Sequence, residues 1–219
     1  NHNISYARSE DFVHWTTGSG NALALPITIE SGAEVDPVPP GGGLINMTQS
    51  LGFDSDHRAI VSYHKHDEGG RTQAYCARLE QDAWVIYQLS DWNYRWAFSG
   101  GGSIRAEIQL DGVKVEPDGG LSQRYWHVKE GSGIWKLDSE TLEIVGSYPV
   151  NDGQLPDELW TVQSEYPGML VNTKNAWGAG NRSGEDYVLR WETLDQNRDR
   201  PREEVPPANP LSLYVLDIV

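Results

Sequence analysis

Residues 44–92 read LINMTQSLGFDSDHRAIVSYHKHDEGGRTQAYCARLEQDAWVIYQLSDW, and this stretch decides the fold. It divides into four short runs, Leu44–Phe53, Ala59–His64, Thr72–Leu79 and Trp84–Leu89. The breaks between them are Asp54-Ser55-Asp56, Asp67-Glu68-Gly69-Gly70 and Glu80-Gln81-Asp82, built from turn-forming residues. None of the runs carries a 3.6-residue apolar period over a helix length. Each is alternating or apolar throughout, which predicts strands. Short turns between consecutive strands make antiparallel neighbours, so the stretch predicts a four-stranded up-and-down meander.

The same pattern recurs on either side. Upstream, Ile4–Arg8 reads as a strand, followed by the turn Ser9-Glu10-Asp11 and by Trp15. Downstream, Ser103–Leu110, Tyr125–Val128, Gly133–Leu137 and Leu142–Ser147 form a second group. Leu159–Val162, Met169–Asn172, Tyr187–Glu192 and Leu211–Leu216 form a third. Four short strands repeated at a period of about 40–50 residues indicate propeller blades. Trp15 and Trp92 each close a unit at comparable strand ends. Residues 1–219 are therefore expected to form one all-β propeller domain of about four blades, the first represented only by its outer end. Gly18–Gly43 is a long loop between blades, and the Pro- and Arg-rich stretch Asn197–Pro210 a surface excursion before the last strand. A start within a blade leaves an apolar face and strand edges uncovered, so the chain is expected to be the C-terminal part of a longer one.

Composition narrows the function. The chain has 17 Lys+Arg against 32 Asp+Glu, a formal charge of −15. That balance argues against nucleic acid and anionic membranes as partners, since both need a cationic face. No apolar run approaches the roughly 20 residues of a membrane-spanning helix. Cys76 is the single cysteine, which excludes an internal disulfide and a Cys-rich zinc site, and its place inside a strand reads as a small buried hydrophobe. Nine Trp and ten Tyr stand against three Phe. Rings with an N–H or O–H suit cores, and they also stack on sugars while bonding a hydroxyl.

Residues 1–15, NHNISYARSEDFVHW, resemble the strand and turn of BNR-repeat propeller proteins that act on polysaccharides. The resemblance continues through 51–78, 90–104 (SDWNYRWAFSGGGSI) and 187–202 (YVLRWETLDQNRDRPR). The relatives it brings to mind are ulvan lyases and rhamnose–glucuronate lyases. It implies a seven-bladed propeller with the N-terminal blades missing, β-elimination on an anionic polysaccharide or oligosaccharide, and secretion or a periplasmic location. No cofactor is required, and the resemblance leaves room for a structural divalent cation such as calcium. Ser9-x-Asp11-x-x-x-Trp15 is one residue short of the sialidase Asp box and lacks its Gly, so it indicates a blade-closing turn more than a reaction.

Elimination next to a uronate needs a group that neutralises the carboxylate, a base for the C5 proton and an acid for O4. By the resemblance, His2 is the second member of a catalytic His pair, while Asn46 and His64 occupy the positions of the lyases' Tyr and Arg. His64 is the first candidate for base or acid, as imidazole titrates near neutral pH. Asn46 also opens an N-M-T sequon. Lys65 can neutralise a carboxylate. In WNYRW (92–96), Arg95 can fork onto a carboxylate, with Trp92, Tyr94 and Trp96 as sugar platforms or as seam packing. Arg105 is a weaker candidate of the same kind. Together His2, His64, Lys65, Arg95 and Arg105 would give a cationic island on an acidic protein. Two alternatives stay open: a propeller glycoside hydrolase, for which Asp36, Asp67, Glu107 and Glu165 are candidate carboxylates, and a non-catalytic sugar-binding propeller. His64-Lys65-His66 is read as pointing its imidazoles to opposite faces of a strand, so no metal ligand set is expected.

Overall fold

The structure is a computed structural model that describes residues 2–45, 48–150, 155–175 and 185–217. The chain divides into two compact units, Asn1–Ser99 with Ala106–Val150, and Gly100–Arg105 with Asn151–Val219.

The first unit opens with four short strands. β1 (Ile4–Ser5) pairs with β4 (Glu34–Asp36), and β2 (Trp15–Thr16) pairs with β3 (Ala22–Leu23). The strand expected over Ile4–Arg8 stops at Ser5, and Arg8 makes only an isolated bridge to Thr16. The turn between them is closed by side chains. Ser9 Oγ accepts from Phe12 N at 2.8 Å, and Asp11 Oδ1 accepts from Val13 N and His14 N at 2.9 and 2.7 Å.

The expected meander follows as β5 (Ser50–Phe53), β6 (Ala59–His66), β7 (Thr72–Glu80) and β8 (Ala83–Gln88), paired in that order. β6 and β7 are buried almost throughout, because their sheet is covered on both faces. On one face Val61, Tyr63, Tyr75 and Ala77 pack with Ile4, Val35, Val38 and Leu44. On the other, Ile60 and Cys76 pack with Val113, Leu121, Leu137 and Leu142. A sheet wet on one side would show alternation instead, so the continuous apolar runs of β6 and β7 record this double burial.

The second face is covered by β11 (Leu121–His127), β12 (Gly131–Leu137) and β13 (Ile144–Tyr148), with β9 (Ile108–Leu110) and β10 (Lys114–Val115) both paired to β11. The strand expected from Ser103 begins only at Ile108; the preceding glycine run has Gly100 and Gly102 at positive φ. The two sheets meet closely where β5 passes the connection between β9 and β10. A Cβ at Gly52 would lie 2.2 Å from the Val113 carbonyl oxygen, and one at Gly112 would lie 2.3 Å from that of Leu51. Asp side chains open several hairpin turns by accepting backbone N–H groups: Asp54 from Asp56 and Arg58, Asp67 from Arg71, and Asp138 from Glu140 and Thr141. Part of the acidic surplus is thus turn chemistry.

The second unit contains α1 (Asp157–Trp160) and the meander β14 (Met169–Asn175), β15 (Glu185–Leu194) and β16 (Ser212–Asp217). The strand expected at Leu159–Val162 is instead this single helical turn, which buries Leu159 alone. Arg190 fixes it to the sheet: Nε donates to Leu159 O at 2.9 Å, while Nη2 donates to Thr161 O and Glu192 Oε1, each at 2.6 Å. The all-β expectation holds. Among the described residues, two of the expected blade groups are full meanders, the third has three strands, and the N-terminal one is two pairs.

Candidate functional site

Two recesses of about 390 Å³ flank one loop of the first unit. The first is a charged cleft where β4 ends and β6 runs into its turn. Asp36 is buried, and its Oδ2 accepts both the Tyr63 hydroxyl at 2.5 Å and the Lys65 ammonium at 2.6 Å. The alternation of β6 explains the arrangement: Tyr63 and Lys65, two residues apart, share a face. Burial and the adjacent carboxylate push the Tyr63 phenol far up, so it serves as a fixed donor. Lys65 also lies over the Tyr75 ring at 4.8 Å. Across the cleft, Arg95 Nη1 donates to Gly70 O. Asp67 accepts from Gln73 and Arg71, and these bonds hold its carboxyl below the usual range.

The wall of this cleft is the loop Pro37–Gly43. His66 N donates to Gly42 O at 2.8 Å, and the His66 ring lies on Gly43, where a Cβ would come within 2.5 Å of it. Gly43 also has φ +87°, so its place under the ring needs glycine twice over. The cleft thus presents held cations, Lys65 and Arg95, beside carboxylates of Asp36, Asp67 and Glu68. Such a mixture offers donors and acceptors to a hydroxyl-rich ligand.

The second recess is a groove lined by His2, Asn3, Ser5 and Tyr6 of the first strand segment and by Leu44, Gln49 and Ser50 opposite. It carries less charge than the cleft, and its floor includes Ile4 and Val61.

The predicted site residues do not assemble into one island. Lys65 and Arg95 line the cleft, whereas His2, exposed, lines the groove. Asn46 lies outside the described residues. Arg105 is in the second unit, exposed, with Asp195 at 3.8 Å. His64 is 1% exposed, its ring centroid 5.0 Å from that of Trp96. Neither of its nitrogens has a hydrogen-bond partner; burial lowers its pKa to about 4, against a smaller opposing effect of the Gly43 backbone. At neutral pH it is an uncharged core imidazole. His64 and His66 point to the same face of β6, with Lys65 opposite, which corrects the expectation of opposite faces: residues two apart on a strand share a side. No group of three or more potential metal ligands occurs among the described residues.

Trp92 and Trp96 are seam residues rather than sugar platforms. Trp92 is 9% exposed and packs on His127, Trp135 and Tyr125, while Trp96 is 3% exposed between His64 and Phe98. Tyr94 donates to Glu107 Oε2 and has its pKa pushed up to about 12 by burial and that carboxylate. Cys76 is fully buried, with its thiol also raised to about 12 by burial. Sequence reasoning passed over Tyr63, Tyr6 and Gln49. For Tyr63 the signal existed in its two-residue spacing from Lys65. Tyr6 and Gln49 meet only through tertiary packing.

Residues 1–92 match a family described as BNR repeat-containing family member. No curated protein matches the chain. Among solved structures, it is similar to an alpha-L-arabinofuranosidase from Clostridium thermocellum at 12% identity and a TM-score of 0.36, covering 96% of this chain and 61% of that one. It is also similar to a thermostable family-43 glycoside hydrolase at 12% identity and a TM-score of 0.41, covering 92% and 66% respectively. The chain therefore spans about two thirds or less of the length of either.

Proposed function

We propose that the chain is part of a carbohydrate-active β-propeller enzyme, which holds a polysaccharide in the cleft of Asp36, Lys65 and Arg95 and cleaves it by hydrolysis. The observation that carries this reading is the buried Asp36 carboxylate, which fixes the Lys65 ammonium at the cleft wall. A site with its polar groups locked before the ligand arrives loses little entropy on binding. The match of residues 1–92 to a BNR-repeat family supports the propeller part.

Hydrolysis is favoured over β-elimination by the state of the histidines. An eliminating base must reach the C5 proton, whereas His64 is enclosed in the core, His2 lies in the other recess, and His66, at the cleft, has its ring packed on Gly43 with Nε2 buried. Beside the structural Asp36, the carboxylates of Asp67 and Glu68, groups of the kind hydrolysis uses, line the cleft itself. The test is to incubate the full chain with a panel of neutral and uronate-containing polysaccharides. New reducing ends without ultraviolet absorbance support hydrolysis. Absorbing unsaturated uronate products would show a lyase, and neither signal on any polymer would remove the enzymatic reading.

A further inference from the structure

We infer that the groove of His2, Asn3, Ser5, Tyr6, Gln49 and Ser50 is a second sugar subsite, taking an uncharged sugar unit next to the one held in the cleft. This rests on the glycan reading of the cleft and extends it to a ligand of at least two units.

Three observations converge. The first is the shared wall. Val38 and Gly42 line the cleft, Leu44 lines the groove, and Asn3 N donates to Val38 O at 2.8 Å, tying the strand at the groove to the loop at the cleft. The second is the lining chemistry. Polar side chains of His2, Asn3, Ser5, Tyr6 and Gln49 stand over carbon surface from Ile4, Leu44 and Val61, with no carboxylate, Lys or Arg among them. Hydroxyls above a C–H face suit that mixture, whereas an ionic ligand would find no counter-charge at neutral pH. The third is the backbone turn at the groove. Asn3 adopts φ +53°, the left-handed conformation that asparagine accepts more readily than most side chains, and this turn leads directly into Ile4 and Ser5.

The Gln49 amide is already oriented, with Nε2 donating to Ile45 O at 2.7 Å, which leaves its oxygen to accept from a ligand. Ser50 is less available, since its hydroxyl donates to Leu110 O at 2.8 Å. The Tyr6 ring is held edge-on against Trp84 at 5.2 Å.

The experiment is calorimetric titration of the full chain with methyl glycosides of arabinose, xylose and glucose and with the corresponding tetrasaccharides. Gln49→Ala and Ser5→Trp are expected to weaken tetrasaccharide binding about tenfold, the scale of one or two lost hydrogen bonds, and to leave methyl glycoside affinity unchanged. Lys65→Met is expected to weaken both. If both groove variants bind tetrasaccharides as the unaltered chain does, while Lys65→Met does not, the second subsite is wrong and the cleft reading survives. Should the unaltered chain bind none of the sugars, both fall.

Discussion

Lys65 Nζ and Asp36 Oδ2 lie 2.6 Å apart across the floor of the cleft, joined by the Tyr63 hydroxyl on the same oxygen. The pair is unequal. Asp36 is buried, whereas the Lys65 side chain keeps 19% of its surface exposed, toward the recess where a ligand would sit. The carboxylate is structural support, and the ammonium is what the cleft offers.

That asymmetry separates the two substitutions. Lys65→Met removes the cleft cation and leaves the buried Asp36 charge with the Tyr63 hydroxyl alone, so sugar binding should fall and stability should drop by about 3–5 kcal/mol. Asp36→Ala strands a partly buried ammonium and a buried phenol, and should cost about 3 kcal/mol of stability. Urea unfolding beside a binding titration reads both effects.

Gly52 should tolerate no side chain. A methyl group there would sit 2.2 Å from the Val113 carbonyl oxygen, so Gly52→Ala must push β5 away from the connection between β9 and β10. Overpacking of this kind costs roughly 1–3 kcal/mol. Gly146→Ala, where a Cβ meets nothing, is the control and should change the urea midpoint by far less.

Acid should weaken the first unit in a window set by its histidines. His64 has a folded pKa of about 4 against 6.5 unfolded, and burial lowers His66 and His127 as well. The unfolded chain therefore binds more protons between these values. Stability falls as pH drops from about 6.5 toward 4, by roughly 3 kcal/mol from His64 alone. Carboxylates held below their usual range, such as Asp118, lowered from 3.8 to about 2, are shifted in the same direction and remove stability in turn only at lower pH. His64→Phe should flatten the upper window in urea unfolding run from pH 7.5 to 4.5.

The second unit has its own test at the Arg190–Glu192 pair. Both side chains are nearly fully buried, and Glu192 also accepts from Gln163 N and Ser164 N at 2.7 and 2.9 Å. Arg190→Met leaves the Glu192 charge and two backbone carbonyls short of a donor, a loss of about 3–5 kcal/mol. Hydrogen exchange should show the loosening at 159–164 and in β14–β16.

Much of the architecture was legible in the sequence because β6 and β7 are buried on both faces. Double burial writes a continuous apolar run, and Asp-rich turns punctuate it. Leu159–Val162 misled because four residues carry no period, and the turn's attachment to the sheet through Arg190 cannot be read locally. The site was less legible. Lys65 reaches the cleft near the end of β6 and Arg95 from the irregular segment after β8, yet His64, Trp92 and Trp96 carry the same chemistry into the seams. Residue type does not distinguish a sugar platform from interior packing; only the covering sheet does.

The account rests most directly on where a sugar binds. A crystal structure of the full chain soaked with a tetrasaccharide that it binds measures this. The expected result is a sugar ring within hydrogen-bond distance of Lys65 Nζ or the Arg95 guanidinium, with the next unit toward His2 and Gln49. A sugar bound only elsewhere, for instance on exposed Trp160, with the cleft empty, would contradict it.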